Sequence, residues 1–244
     1  MEKIKVYPII TQLLLLFFIL HWANRAAAQA DTQTYLAEIK TALQKKWPAN
    51  RTINLVFHGH SVPSGYFQTP AVHTLEAYPH LVLQQLKVQY PYAVINVITT
   101  SIGGENSVQG EKRFEREVLP HRPDVLFIDY ALNDRAIGLE ASRIAMEKMI
   151  RQALRKQIKV VLLTPSPDLA VDILKPDNIL SQFSRQLTAL AEKYKIGLAD
   201  SYAAFYELAG SGKELKDYMA QGNHPNEKGH RLIADRILRW LLPK

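Results

Sequence analysis

The stretch VFHGHSVPSGYF, at residues 56–67, carries the chain from a strand-forming run into a turn. The apolar residues 53–57 predict a strand that Gly59 ends, and Ser61 follows between His60 and a Val-Pro turn. A serine in a loop usually forms a turn or caps a helix. Whether Ser61 does more depends on which other loops share its edge of the fold.

Apolar runs and amphipathic segments alternate along the rest of the chain. Further strands are predicted at residues 93–98, 125–130, 159–163 and 196–199. Helices are predicted at 35–47, 73–89, 107–119, 139–156 and 178–194, and from Asn226 as N-cap to about Leu242. Strands that alternate with helices indicate βαβ units. We therefore predict an α/β fold, a three-layer α/β/α sandwich with a five-stranded parallel sheet.

The first thirty residues predict a secretory signal peptide. Lys3 and Lys5 make the start positive, residues 13–20 read LLLLFFIL, and Ala28-Gln29-Ala30 matches the small-x-small cleavage pattern. A retained membrane anchor is the alternative, but a spanning helix needs about 20 apolar residues and this run is shorter. We expect cleavage after Ala30, no stable membrane insertion afterwards, and a single domain over residues 31–244 of a secreted or periplasmic protein.

The composition excludes several classes of site. The chain has 30 Lys and Arg against 23 Asp and Glu, a net charge of +7, but the charges are mixed and form no long basic run. Nucleic-acid binding usually requires a clustered basic face, so no nucleic-acid partner is predicted. The sequence has no cysteine, which excludes disulfides, cysteine-ligated zinc, a thiol nucleophile and a lipid anchor on cysteine. Nothing in the sequence predicts an oligomeric state.

Polar residues follow the predicted strands at the edge where an α/β sheet binds its ligands. Ser61 follows the first strand, Gly104 the second and Asn133 the third, while His224 precedes the last helix. A serine hydroxyl is a weak nucleophile that needs a base, and an imidazole is suited to that role. Backbone N–H groups and a side-chain amide can stabilise the negative oxygen of a tetrahedral intermediate. These residue types together support acyl transfer.

The chain resembles the SGNH hydrolase superfamily, also called GDSL-like lipases and esterases. The matching blocks are Gly59-His60-Ser61, residues 101–107 (SIGGENS), Asn133-Asp134, and His224-Pro225-Asn226 followed by Gly229-His230. The resemblance implies a flavodoxin-like sandwich, no cofactor, and hydrolysis of an ester or thioester. It also implies that Ser61 is the nucleophile, that His224 is the base, and that Gly104, Asn133 and the Ser61 N–H form the oxyanion hole.

The sequence departs from the family pattern at two positions. His60 stands where the family usually has aspartate before the nucleophile, and Gln221 stands where it usually has the aspartate that orients the histidine. In a serine protease, replacing that acid by its amide costs about 10⁴ in turnover. The protein therefore works either as a Ser-His dyad, with Gln221 as a possible orienter of His224, or with a carboxylate from elsewhere. The candidate carboxylates are Asp134, Asp200 and Asp217.

Other residues near these loops have two interpretations each. His58 and His60 alternate along the chain, but no third ligand is specified, so no metal site is predicted. Glu105 and Arg135 either contact substrate or form structural ion pairs. The aromatic residues that either line an acyl or sugar pocket or pack in the core are Tyr66, Phe67 and Tyr78.

The sequence as a whole predicts a serine esterase that forms an acyl-enzyme on Ser61. The expected partner is a small-molecule or polysaccharide ester, with an O-acetyl group on a polysaccharide first, by family analogy and location, and a lipid or small aryl ester second. The rival prediction is a carbohydrate-binding or scaffold protein that keeps the fold and has lost the reaction. His60 and Gln221 motivate the rival, whereas the retention of all four matching blocks favours the enzyme.

Overall fold

The computed structural model describes residues 30–243 and is built around one central sheet. Its strands are β1 (Thr52–Gly59), β2 (Val94–Thr99), β3 (Val125–Asp129), β4 (Lys159–Leu163) and β5 (Gly197–Ala199). The strand order is β2-β1-β3-β4-β5, and every neighbouring pair is parallel. The predicted α/β sandwich with a five-stranded parallel sheet is confirmed.

Helices connect the strands and cover both faces of the sheet. They are α1 (Ala37–Gln44), α2 (Ser61–Ser64), α3 (Tyr78–Gln89), α4 (Ser107–Glu117), α5 (Ala131–Asp134), α6 (Gly138–Arg155), α7 (Ile179–Tyr194), α8 (Ser201–Gly210) and α9 (Glu227–Leu241). Short 3₁₀ turns lie at Thr74–Glu76, Leu119–His121 and Leu215–Tyr218. A small antiparallel hairpin, β6 (Met219–Gln221) with β7 (His224–Pro225), leads into α9.

The core consists of one buried cluster on each face of the sheet. Successive strand side chains point to opposite faces, so Phe57 packs with α1, α3 and α9 while its neighbour Val56 packs with α4, α6 and α7. Trp240 of α9 is among the largest fully buried side chains and donates from its indole N–H to the Leu198 carbonyl at 3.2 Å. Because both faces are covered, the central strands read as continuous apolar runs rather than alternating ones.

The structure corrects the predicted elements in two places. The segment 73–89 is a 3₁₀ turn followed by α3, in which Pro79 takes the second position, where the missing N–H breaks no helical bond. The helix α8 and the hairpin β6–β7 were not predicted. Asp200 caps α8 by accepting from the Ala203 N–H at 3.0 Å.

The predicted signal peptide lies outside the described residues except for Ala30, and it stays a prediction, as does the domain boundary after it. Within residues 30–243, no helix is long and apolar enough to cross a membrane.

Candidate active site

Ser61 and His224 meet at the carboxyl edge of the sheet. Ser61 is the first residue of α2, directly after β1, and His224 lies in β7, just before Asn226 caps α9. The Ser61 Oγ atom is 3.0 Å from His224 Nε2. Both residues are only 6% exposed. The fold therefore turns two residues that are far apart in sequence into a hydrogen-bonded pair largely shielded from water.

The backbone carbonyl of Phe67 occupies the far side of the His224 ring. His224 Nδ1 is 3.1 Å from the Phe67 oxygen. Since a carbonyl can only accept, Nδ1 carries the proton and Nε2 turns its lone pair towards Ser61. Burial lowers the pKa of His224 below its ordinary value, although the Phe67 carbonyl opposes that shift. The imidazole thus has the tautomer and the neutral state that a base requires.

Gln221, predicted as the possible orienter of His224, pairs with it across β6–β7, but its side chain bonds to another group. Its Oε1 atom accepts from the Thr69 N–H at 2.9 Å, in the loop that also carries Phe67. Within residues 30–243, no hydrogen bond or ion pair joins the His224 ring to the carboxylates considered from sequence, Asp134, Asp200 and Asp217. The structure therefore places a backbone oxygen, and no acidic side chain, against the far nitrogen of His224.

The loop at residues 65–73, here called the histidine-facing loop, is closed on itself and presents the Phe67 carbonyl. Gly65 begins it with a left-handed φ of 86°, and a Cβ there would lie 2.8 Å from the His73 carbonyl oxygen. The His73 N–H donates to the Gly65 carbonyl at 2.7 Å, and the Phe67 N–H donates to the Ala71 carbonyl at 3.0 Å. The rings of Phe67 and His73 stack at 4.2 Å. These contacts fix the position of the Phe67 backbone, whose carbonyl faces the His224 ring.

The predicted oxyanion-hole residues lie in two adjoining loops. Gly104 has a left-handed φ of 77° in the turn after β2, and that turn is tied to the end of β1 by the Ile102 N–H, which donates to the Gly59 carbonyl at 3.1 Å. Asn133 Nδ2 donates to the Glu105 carbonyl at 3.0 Å, which leaves its second amide proton free for a ligand. Within residues 30–243, the Gly104 N–H makes no backbone hydrogen bond.

His60 supports the start of α2, the helix of Ser61, and does not face solvent. It is fully buried, and its Nδ1 accepts from the Val62 N–H at 3.2 Å, at the start of α2. Its Nε2 is 3.4 Å from Asp129 Oδ1, close enough for an electrostatic contact but without hydrogen-bond geometry. The other Asp129 oxygen accepts from the Tyr78 hydroxyl at 3.0 Å. His60 and Tyr78 are therefore parts of the buried support beneath Ser61.

Tyr66 lies between the glycine turn and His224. Its ring centroid is 5.9 Å from that of His224, and a Cβ on Gly103 would lie 2.8 Å from its Cζ atom. The absence of a side chain at Gly103 thus lets the phenol ring cross from one loop to the other. Of the aromatic residues considered from sequence, Tyr66 forms a wall of the site, and Phe67 contributes its backbone.

The two charged residues beside the site are both ion-paired. Arg135 Nη2 lies 2.7 Å from Asp168 Oδ2, and Glu105 Oε2 lies 2.6 Å from Arg113 Nη2. Of the two interpretations offered by the sequence, the structural ion pair describes both residues.

The histidines that alternate along the end of β1 do not converge. His58 Nδ1 and Nε2 lie 3.0 Å from Thr100 Oγ1 and 3.1 Å from the Tyr130 hydroxyl, whereas His60 contacts Val62 and Asp129. In the described part of the chain, no group of three or more His, Asp or Glu side chains is placed to hold a metal ion.

With this geometry in place, comparison with known proteins settles the family. The model of the GDSL-like lipase/acylhydrolase family matches residues 57–232, which contain all four sequence blocks. The chain belongs to the GDSL-like lipase/acylhydrolase family. Its class is therefore that of carboxylic ester hydrolases. A relative in Bacillus subtilis (strain 168), named an uncharacterized lipoprotein YqeF, is 24% identical over an alignment of 179 residues, with 59% of this chain and 72% of the relative covered.

Two esterases are among the solved structures similar to this GDSL-like chain. A two-domain esterase active on acetylated mannans has 22% identity and a TM-score of 0.70; 88% of this chain is covered, but only 54% of that protein. This chain therefore spans about half of that relative's length. The acetylxylan esterase Axe2 from Geobacillus stearothermophilus has 21% identity and a TM-score of 0.69, with 79% of this chain and 95% of that protein covered. At such identities the likeness shows the shared fold.

Proposed function

We propose that this protein is a secreted or periplasmic serine esterase that removes acyl groups through an acyl-enzyme on Ser61. The observation that carries the proposal is the 3.0 Å contact between Ser61 Oγ and His224 Nε2, with the Nδ1 proton directed at the Phe67 carbonyl. A serine hydroxyl next to a correctly oriented neutral imidazole is the arrangement that activates an oxygen nucleophile.

The residues support a two-step reaction. Ser61 Oγ attacks the ester carbonyl carbon while His224 Nε2 takes its proton, and the tetrahedral oxyanion lies at the N–H groups of Ser61 and Gly104 and the amide of Asn133. Collapse breaks the bond to the alcohol, which leaves with the proton from His224. Water then attacks the acyl-enzyme and gives a proton to His224, which passes it to the Ser61 oxygen as the bond to the acyl group breaks and the acid is released. The Phe67 carbonyl holds the ring through both steps.

O-acetyl groups on polysaccharides are the first proposed substrate. Esterases of the same fold act on acetylated mannans and on acetylated xylan, and a protein exported by the predicted signal peptide would meet such polymers outside the cytoplasm. The Tyr66 ring, which closes the space between Gly103 and His224, favours a small acyl group over a long chain.

The test is release of p-nitrophenol from p-nitrophenyl acetate, followed by acetate release from acetylated xylan and mannan. Ser61→Ala should lower turnover by at least about 10⁴-fold, because the nucleophile and its base act as a unit. Ser64→Ala is the matched control, since Ser64 lies in the same short helix and its hydroxyl bonds to the His60 and Ser101 carbonyls. Turnover retained in Ser61→Ala would refute the proposal and turn attention to a carbohydrate-binding protein that keeps the fold without the reaction.

A further inference from the structure

We propose that Glu105 positions the oxyanion hole, by fixing both of its loops to a buried network formed with Arg113, Tyr130 and His58. The inference rests on the proposed function, since it concerns the stabilisation of the oxyanion that forms at Ser61. Glu105 contacts no reacting atom, so its role is one of positioning.

The backbone of Glu105 touches both arms of the hole. It directly follows Gly104, and its own N–H closes the glycine turn by donating to the Ile102 carbonyl at 3.2 Å. Its carbonyl accepts from Asn133 Nδ2 at 3.0 Å. A displacement of Glu105 would therefore move the Gly104 N–H and release the Asn133 amide together.

The side chain of Glu105 is held at both oxygens. It is 7% exposed; Oε1 accepts from Arg113 Nε at 2.7 Å, and Oε2 accepts from Arg113 Nη2 at 2.6 Å and from the Tyr130 hydroxyl at 2.6 Å. Arg113 is itself fixed, because its Nη2 also donates to the Thr100 carbonyl at 2.5 Å. A bidentate guanidinium–carboxylate pair is strong and geometrically specific, so a change of the Glu105 rotamer would break a buried charge pair.

The bond between Tyr130 and Glu105 determines which His58 nitrogen carries the proton. The single Tyr130 hydroxyl proton goes to Glu105, so His58 Nε2, at 3.1 Å, is the donor to the Tyr130 oxygen, while His58 Nδ1 lies 3.0 Å from Thr100 Oγ1. Burial, with the charge of Arg113, lowers the pKa of His58 to about 3. Burial and the neighbouring Glu105 raise the pKa of Tyr130. Neutral His58 and protonated Tyr130 therefore keep this pattern at neutral pH.

Two further features support this arrangement: a glycine leaves space for the Tyr130 ring, and a second hydrogen bond joins the two loops. Gly110 of α4 faces the Tyr130 ring, and a Cβ there would lie 2.2 Å from the Tyr130 hydroxyl oxygen. The loops are joined a second time by Asp134, whose Oδ1 accepts from the Ser107 N–H at 2.7 Å. An oxyanion hole acts through donors that are already in place before the reaction, and these contacts supply that rigidity.

The experiment compares Glu105→Gln, Tyr130→Phe and wild type with p-nitrophenyl acetate. Glu105→Gln should lower kcat by about 10²-fold, the usual cost of an impaired oxyanion donor, and leave KM nearly unchanged, since the interaction matters only in the transition state. Tyr130→Phe removes one hydroxyl and keeps the ion pair, and should lower kcat by a smaller factor. The affinity of ethylboronic acid, which forms a tetrahedral adduct with a serine, should fall in parallel with kcat/KM in both variants.

The controls separate positioning from folding. Arg113 Nη1 also lies 3.4 Å from Glu117 Oε2. Glu117→Gln removes that carboxylate and should leave kcat and boronate affinity unchanged. Labelling to completion with a fluorophosphonate gives the number of folded active sites. If Glu105→Gln does not fold, Tyr130→Phe tests whether the network positions the oxyanion hole.

The inference is overturned if the folded variants keep wild-type kcat, or if kcat falls while boronate affinity does not. Turnover that survives in Ser61→Ala would overturn the proposed function itself. If Ser61→Ala is inactive but Glu105→Gln keeps wild-type kcat and boronate affinity, only this inference is overturned.

Discussion

Replacing Gln221 by alanine separates two ways in which His224 can be held. If Gln221 took over the task of the family's usual aspartate, its removal would approach the loss of about 10⁴-fold seen when that acid is changed in a serine protease. In the structure, however, Gln221 Oε1 bonds to the Thr69 N–H, and the Phe67 carbonyl faces the ring. The Gln221 side chain therefore reaches His224 through the histidine-facing loop.

The size of the expected effect follows from that single bond. An exposed hydrogen bond of 2.9 Å to a neutral backbone N–H contributes about 0.5–1.5 kcal/mol net. Even if all of it were needed to hold Phe67, the loss in kcat/KM would be at most about tenfold. The loop also keeps the bond between Phe67 and Ala71 and the stacking of Phe67 on His73. We therefore expect a loss of about two- to tenfold.

The assay is kcat/KM for p-nitrophenyl acetate in Gln221→Ala, with Gln68→Ala as the matched control. Gln68 is an exposed glutamine of the same loop, and no hydrogen bond of its side chain is found within residues 30–243. Gln221→Asp should bring no gain, because the Nδ1 proton already has an acceptor. A loss near 10³-fold in Gln221→Ala, or a gain of tenfold or more in Gln221→Asp, would refute the assignment of Phe67 as the acceptor.

Three further predictions concern protonation and packing. Because His224 must be neutral to act and burial lowers its pKa, kcat/KM should reach half its maximum below pH 6.5; a midpoint above pH 6.5 would contradict this. Burial, with a smaller contribution from His224, lowers the pKa of His230 to about 3. Between pH 6.5 and 3 the unfolded chain therefore binds a proton at His230 that the folded chain does not bind. The free energy of unfolding should fall as pH drops through this range. His230→Asn, which keeps an acceptor at the Nδ1 position, should make that fall shallower in urea titrations at pH 7 and 4.5, and an unchanged slope would assign it to other groups. Gly103→Ala should displace the Tyr66 ring and lower the melting temperature and kcat/KM, whereas Gly210→Ala, with open space around its Cβ, should do neither.

The sheet was predictable because each strand carries its own signal. Residues 55–57 and 125–128 are apolar and buried on both faces, and continuous burial leaves a continuous run in the sequence. The helix α8 was missed although Asp200 is a normal cap, because the segment is apolar on most sides and its buried residues do not stand out as a stripe. The hairpin β6–β7 is too short for any periodicity to appear.

The candidate site was predictable only where a recognisable residue type marks a position. Ser61, Gly104 and Asn133 follow strands and His224 precedes the last helix, and the pairing of Ser61 with His224 is found as expected. The acceptor for His224 Nδ1 was not predictable, because every residue has a carbonyl and only the closed loop decides which one is presented. The support by His60, Asp129 and Tyr78 depends on contacts between distant segments, which no local pattern encodes.

Substitutions affect a histidine base oriented by a main-chain oxygen differently from one oriented by an aspartate. No side-chain replacement at position 67 deletes the carbonyl, so an alanine scan would pass over it, and a single codon change cannot remove the orienting group as it can remove a carboxylate. The substitutions that would disturb the orientation of the histidine are instead those at residues that shape the loop, such as Gly65 with its left-handed backbone. Insertions and deletions between residues 65 and 73 are then the genetic changes through which such an esterase would gain or lose the competence of its histidine.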